Sequence, residues 1–293
     1  MKLIQQSFEI LEQQDFTIKG IKQFIERCAR VSYKSENRIT DNSYIKFVDM
    51  LESRDHTRPL EFGSVHLKMS ISDFHQLRDT LCANKMWNDI WIQFTYVGEL
   101  TYITTNYRYY LDIIRLYPYI ERYFTPKDDI LYPKRHTVHM ILSRGVMDEF
   151  RTHVGLSHLA ESTRYCSYNK DKFGNEVTFI IPNWVNTKCP NKEQEGPSIP
   201  DMEWSTAMLN AEASYMNLLK MGWKPQQARD VLPLAVKSEL ISCGFIDAWV
   251  NFFKRRCAND AHPMAREIAL KVQDEFIKII LVILHDEKSN IKL

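Results

Sequence analysis

Apolar residues early in the chain recur at helical spacing. Ile18, Ile21, Phe24, Ile25 and Cys28 fall on one stripe of a 3.6-residue repeat, so residues 1–33 read as a helical N-terminal region. Residues 63–71 alternate and are β-branched enough to predict a strand, with a helix over 74–84. Residues 92–105 read as a hairpin with Gly98 at its turn. A strand is predicted over 136–142, ended by Arg144-Gly145, then a helix over 146–154 and a short strand over 176–181. The segment 182–200 holds four prolines among polar residues. It reads as a loop excursion and not a linker, because strong motifs flank it. A helix over 202–221 follows. Pro225 starts a short helix at the favoured first-turn position and Pro233 stops it. A strand over 236–243 and helices over 245–256 and 263–284 complete the pattern. The class expected is mixed α/β (α+β): a single catalytic domain over 1–293, with a central sheet flanked by helices. The regular alternation and the GxGxxG of a doubly wound dinucleotide fold are missing.

Composition narrows the field. With 44% hydrophobic and 26% charged residues the chain has an ordinary globular balance. Its 38 Lys+Arg against 37 Asp+Glu leave a net charge of +1, no global surplus for a nucleic-acid backbone. The longest apolar run, Ile279 to Leu284, falls far short of the ~20 residues that span a bilayer. Gln5, Gln6, Ser7 and Glu9 interrupt the N-terminal segment, so no signal peptide is expected. Scattered cysteines fit a reduced, cytoplasmic location. No CxxC pair supports zinc at Cys257 and His262 or at His136 and His139, and no metal is expected.

Five segments could carry chemistry. In Glu161-Ser162-Thr163-Arg164-Tyr165, two hydroxyls, a guanidinium and backbone N–H groups suit an oxyanion such as phosphate; a helix end with a solvated arginine is the plainer reading. Arg229, in a short helix stopped by Pro233, is either a ligand contact or an ion-pair partner of Asp230. Trp249, Phe252, Phe253 and Arg256 share one helical face, so Arg256 either snorkels outward or meets a planar ligand. Around Glu149-Phe150-Arg151-Thr152-His153-Val154, Arg151 shares a face with Val154, and His153 lies off it. Arg151 alternatively pairs with Asp148 or Glu149. The polar turn His56-Thr57-Arg58-Pro59-Leu60-Glu61 precedes a strand. With no triad, P-loop or zinc-protease motif present, catalysis would rely on a cofactor.

In order, these segments resemble the flavin-dependent thymidylate synthases. The resemblance runs over roughly residues 50 to 285, through Thr104 to Arg108, Glu161 to Tyr168, Thr178 to Pro182, Ala228 to Pro233, Phe252 to Cys257 and His262 to Ala269. It implies a homotetramer with active sites shared between subunits, FAD as cofactor, NADPH as reductant, and methylenetetrahydrofolate as carbon donor to C5 of dUMP. It assigns Glu161, Ser162, Thr163, Arg164 and Arg229 to dUMP, with Ser162, Arg164 and Arg229 on its phosphate. Arg256 meets the uracil ring, an oxyanion-hole-type role worth ~3 kcal/mol of barrier. His56, Glu61, His153 and Asn251 match flavin contacts, and Arg151 is placed there as a substitute charge. The family's Arg-His-Arg is Thr152-His153-Val154 here, and its Glu-His is Glu61-Phe62. Two alternatives stay open: a related flavoenzyme modifying C5 of another pyrimidine nucleotide, and a catalytically silent nucleotide-binding homologue.

Overall fold

The chain begins extended, not helical. The structure, a computed structural model, describes residues 1–162, 168, 174–187 and 196–290. Its first elements are strands β1 (Lys2–Ile4) and β2 (Ser7–Leu11), followed by α1 (Ile18–Tyr33). The helical reading of residues 1–33 therefore holds only from Ile18. A strand as short as β2 is specified by its partner more than by its own residues: Phe8 pairs with Met140 and Ile10 with Val138, far along the chain. Then come α2 (Ser43–Ser53), β3 (Ser64–Ser70), α3 (Ile71–Ala83), β4 (Ile92–Val97), β5 (Leu100–Asn106), α4 (Tyr107–Leu116), β6 (Arg135–Ser143) and α5 (Arg144–Phe150). β7 (Ser157–Ala160), β8 (Thr178–Ile180), α6 (Ile199–Lys220), α7 (Pro225–Ala228), β9 (Lys237–Phe245), α8 (Ile246–Arg256) and α9 (Pro263–Asn290) follow.

Several strands pass into helices without a loop because the last strand residue is also a cap. Ser70, Asn106 and Ser143 accept first-turn backbone N–H groups from Asp73 at 3.1 Å, Tyr109 at 2.9 Å and Val146 at 3.3 Å. Each cap satisfies a donor that the helix itself leaves unpaired, and so fixes where α3, α4 and α5 begin.

The central sheet is antiparallel in the order β2-β6-β9-β7. Val138, Met140, Leu142 and Leu240 pack with Met147 and Phe150 of α5, Trp249, Phe252 and Phe253 of α8, and Ile268 and Val272 of α9. Ile241 and Cys243 join Ile21, Ile25 and Cys28 of α1 and the three-stranded sheet β3-β5-β4 in a second cluster. β9 is consequently buried along nearly its whole length. A third cluster gathers Phe179 of β8, Met208 and Tyr215 of α6, and Ala228 of α7. The architecture is the mixed α/β arrangement expected.

The predicted helix over 146–154 stops at Phe150. The chain has only a few residues in which to turn back into the sheet as β7, and Gly155, at φ +96°, makes that reversal. Arg151 to Val154 therefore form a turn. The shared helical face of Arg151 and Val154 does not exist, and Val154 is 81% exposed.

Candidate active site

Four arginines converge on one cleft of about 630 Å³. Arg58 comes from the turn after α2, Arg144 from the start of α5, Arg151 from the turn after it, and Arg229 from the 3-10 turn after α7. The end of α1 and strand β7 supply the remaining wall, with His158, Glu161 and Ser162. Two backbone bonds carry the chain past β7 into this position: Glu161 N–H donates to the Glu239 carbonyl at 2.8 Å, and Ser162 N–H to the Ser32 carbonyl at 3.2 Å. Asp148 accepts from Arg144 Nε at 3.1 Å and from Arg151 Nη1 at 3.5 Å, so one carboxylate orients two guanidiniums. Planar forked donors at this density suit a phosphate.

Glu161 is the acidic exception. It is 2% exposed; Oε2 accepts from Lys237 Nζ at 2.9 Å, and Oε1 has no partner among the described residues. Lys237 also pairs with Glu239, as does Lys34. Burial opposes the Glu239 charge, but the His139 hydrogen bond and the two ammonium groups outweigh it and hold its carboxyl well below the usual range. Burial likewise works against the Lys34 charge, and Glu161 and Glu239 more than offset it. The cleft floor thus rests on a buried, charge-compensated network.

Arg256 is not among the residues lining the cleft. Its Nε donates to His153 Nε2 at 2.7 Å, Nη1 to the Glu149 carboxylate at 2.6 Å, and Nη2 to the Glu149 carbonyl at 2.7 Å and Thr152 Oγ1 at 3.4 Å. Its guanidinium carbon lies 6.0 Å from the Phe150 ring centroid. Burial, and the nearby Arg256 and Arg255 charges, push His153 down to about 4. The turn 151–155 separates the two places: Arg151 faces the cleft, and His153 holds Arg256.

The cleft brings together Arg151, Glu161, Ser162 and Arg229. Thr163 and Arg164 lie outside the described residues. Glu61 is buried and its carboxylate is engaged, accepting from Arg108 at 2.6 Å and Ser157 at 2.6 Å, while its carbonyl takes Arg135 at 2.7 Å. It joins the 58–62 turn to α4 and β7. His56 and Asn251 are exposed and do not line the cleft. Arg58 and Arg144 join the cleft without having been singled out. Arg58 stands within the polar turn and Arg144 directly follows the cap Ser143, but no periodicity marks either. Burial pushes the thiols of Cys28 and Cys257 up, away from thiolate. Among the described residues no group of three or more His, Cys, Asp or Glu gathers to hold a metal, and no helix is long and apolar enough to cross a membrane.

Fold and site define a class: an α/β protein with an arginine-rich cleft beside its central antiparallel sheet. The family is narrower. The model described as Thymidylate synthase complementing protein matches residues 134–280, half of the chain, and the chain belongs to that family. A flavin-dependent thymidylate synthase of Pyrococcus abyssi (strain GE5 / Orsay) is 29% identical over 122 residues, 42% of this chain and 46% of that protein. The match spans about half the length of that curated relative. Two crystal structures of a UMP/dUMP methylase PolB from Streptomyces cacaoi, bound with 5-Br dUMP and 5-Br UMP, align with 95% of this chain and with 93% and 92% of theirs. Their identities are 16% and 15%, and their TM-scores 0.42 and 0.43.

Proposed function

We propose that the chain methylates dUMP at C5 to give dTMP, as a flavin-dependent thymidylate synthase. The observation that carries this reading is the convergence of Arg229, Ser162, Arg151, Arg144 and Arg58 on one cleft, a grip for the nucleotide phosphate that Arg164 of the same motif would complete. Glu161 lines the same cleft with its carboxylate held by Lys237, which places it beside the nucleotide. Arg256 has one Nη1–H beyond the bonds described above, and turns it toward negative charge developing on the pyrimidine.

His153 fits a flavin contact. With Nε2 accepting from Arg256, its proton lies on Nδ1, which donates to a ring acceptor. His56 and Asn251 lie on the surface, as contacts completed by another subunit of a homotetramer require. Glu61 serves the site through Ser157, its carboxylate being already bonded. Arg151, in the cleft, supplies charge on the phosphate side. FAD, reduced by NADPH, supplies the hydride, and methylenetetrahydrofolate the carbon.

The test is the absorbance spectrum of the purified protein with and without dUMP, followed by product analysis. A flavin spectrum and dTMP formed from dUMP, methylenetetrahydrofolate and NADPH are expected. Turnover of UMP or dCMP alone points to another C5-modifying flavoenzyme, and a colourless protein that only binds nucleotide to a silent homologue.

A further inference from the structure

A line of hydrogen bonds leads from the middle of the sheet to Arg256, and each link admits one polarity. Arg256 Nε can only donate, so His153 Nε2, 2.7 Å away, accepts. The His153 carbonyl can only accept, so His158 Nε2, 3.3 Å away, donates to it. His158 Nδ1 is then left to accept from the Ser242 hydroxyl at 2.9 Å. Ser242 is 1% exposed on β9, and His158, 8% exposed, stands directly across from it on β7. Both histidines are pushed down to about 4, chiefly by burial, and so stay neutral at neutral pH. A buried imidazole carries a desolvation cost unless its nitrogens are bonded. Both nitrogens of His158 are bonded, Nδ1 to Ser242 on β9 and Nε2 to the turn that divides the cleft from Arg256.

We propose that His158, oriented by Ser242, is a positioning residue that anchors the His153 carbonyl and through it the ring on which Arg256 rests. This rests on the reading in which Arg256 faces the pyrimidine. His158 also forms part of the cleft wall, so a single side chain couples the phosphate grip to the Arg256 side.

The test compares wild type, His158→Leu and His158→Gln. Leucine keeps the bulk and removes both bonds, whereas the glutamine amide can donate to the carbonyl and accept from the hydroxyl. Nitrogen-15 NMR of histidine-labelled wild type should show His153 as a fixed Nδ1–H tautomer. His158→Leu should give averaged tautomer signals for His153, and His158→Gln should restore the fixed form. With dUMP, kcat should fall about tenfold in His158→Leu while KM moves much less, and His158→Gln should recover most of the loss. Unchanged His153 signals and unchanged kcat in His158→Leu overturn the proposal. Should that variant fail to fold, Ser242→Ala, which removes only the hydroxyl, is judged by the same two readouts. If wild type makes no product from dUMP, the functional reading fails, and the NMR comparison still decides the positioning role.

Discussion

At Arg256 a single guanidinium holds α8 to the end of α5 and is also the charge we propose for the pyrimidine. Arg256→Ala should therefore do two things at once. Turnover should fall ~100-fold or more through lost charge stabilisation. Stability should fall by about 2 kcal/mol, because the bonds to Glu149 are charge-assisted and partly buried. Steady-state rates at saturating dUMP together with urea unfolding separate the two effects, and near-normal turnover would sink the assignment. Arg229→Ala addresses the other half of the site. It should weaken dUMP binding at least ~10-fold, about 1.4 kcal/mol, by removing charge-assisted contacts, and leave the affinity for deoxyuridine and the flavin content unchanged. Calorimetry that finds nucleoside and nucleotide bound equally well by wild type would refute the phosphate assignment.

Elements here begin where caps place them. Ser143→Ala removes the acceptor for the Val146 N–H and should cost about 1 kcal/mol. Because α5 starts at Arg144 and ends at the turn carrying Arg151, the same change should also weaken dUMP binding modestly. A midpoint shift without a change of slope in urea identifies the cap loss. Helices and strands with a strong period of their own could be read from residues alone: α1 from its Ile21, Phe24, Ile25 and Cys28 stripe, the β4–β5 hairpin from Gly98, and α8 from its aromatic face. What could not be read was set by distant partners. β2 is defined by pairing with β6, 130 residues away between Glu9 and His139, and the end of α5 by the need to re-enter the sheet. The site divides the same way. Ser162 and Arg229 stand in motifs with local character, whereas Arg58 and Arg144 reach the cleft only through the tertiary fold.

Across the whole molecule, His66, His136, His153 and His158 are each pushed down to about 4, chiefly by burial, from an ordinary 6.5. The unfolded chain takes up protons below pH 6.5 that these folded sites refuse until about pH 4. Their contribution is thus full above 6.5 and is lost as the pH falls toward 4. His139 works in reverse: burial opposes its charge, but Glu239 and Glu9 raise it, so its contribution is present below 6.5 and fades as the pH rises. Four sites against one predict a melting temperature several degrees lower at pH 5 than at pH 7.5. A flat or rising profile on acidification would contradict the neutral assignment of these rings. At the corner where β7, β9 and α8 meet, a Cβ on Gly244 would lie 2.6 Å from Leu156 Cδ2 and 2.9 Å from the Gly155 carbonyl oxygen, and one on Gly155 would lie 3.1 Å from Ala248 Cβ. A side chain at Gly244 would press on the Gly155 backbone, and one at Gly155 would be strained by its positive φ, so neither glycine can be replaced without disturbing the turn that carries Arg151 and His153. Among descendants of this sequence, residues 155 and 244 should accordingly stay glycine while their surroundings drift, which makes that corner a slow-moving landmark for tracing the lineage.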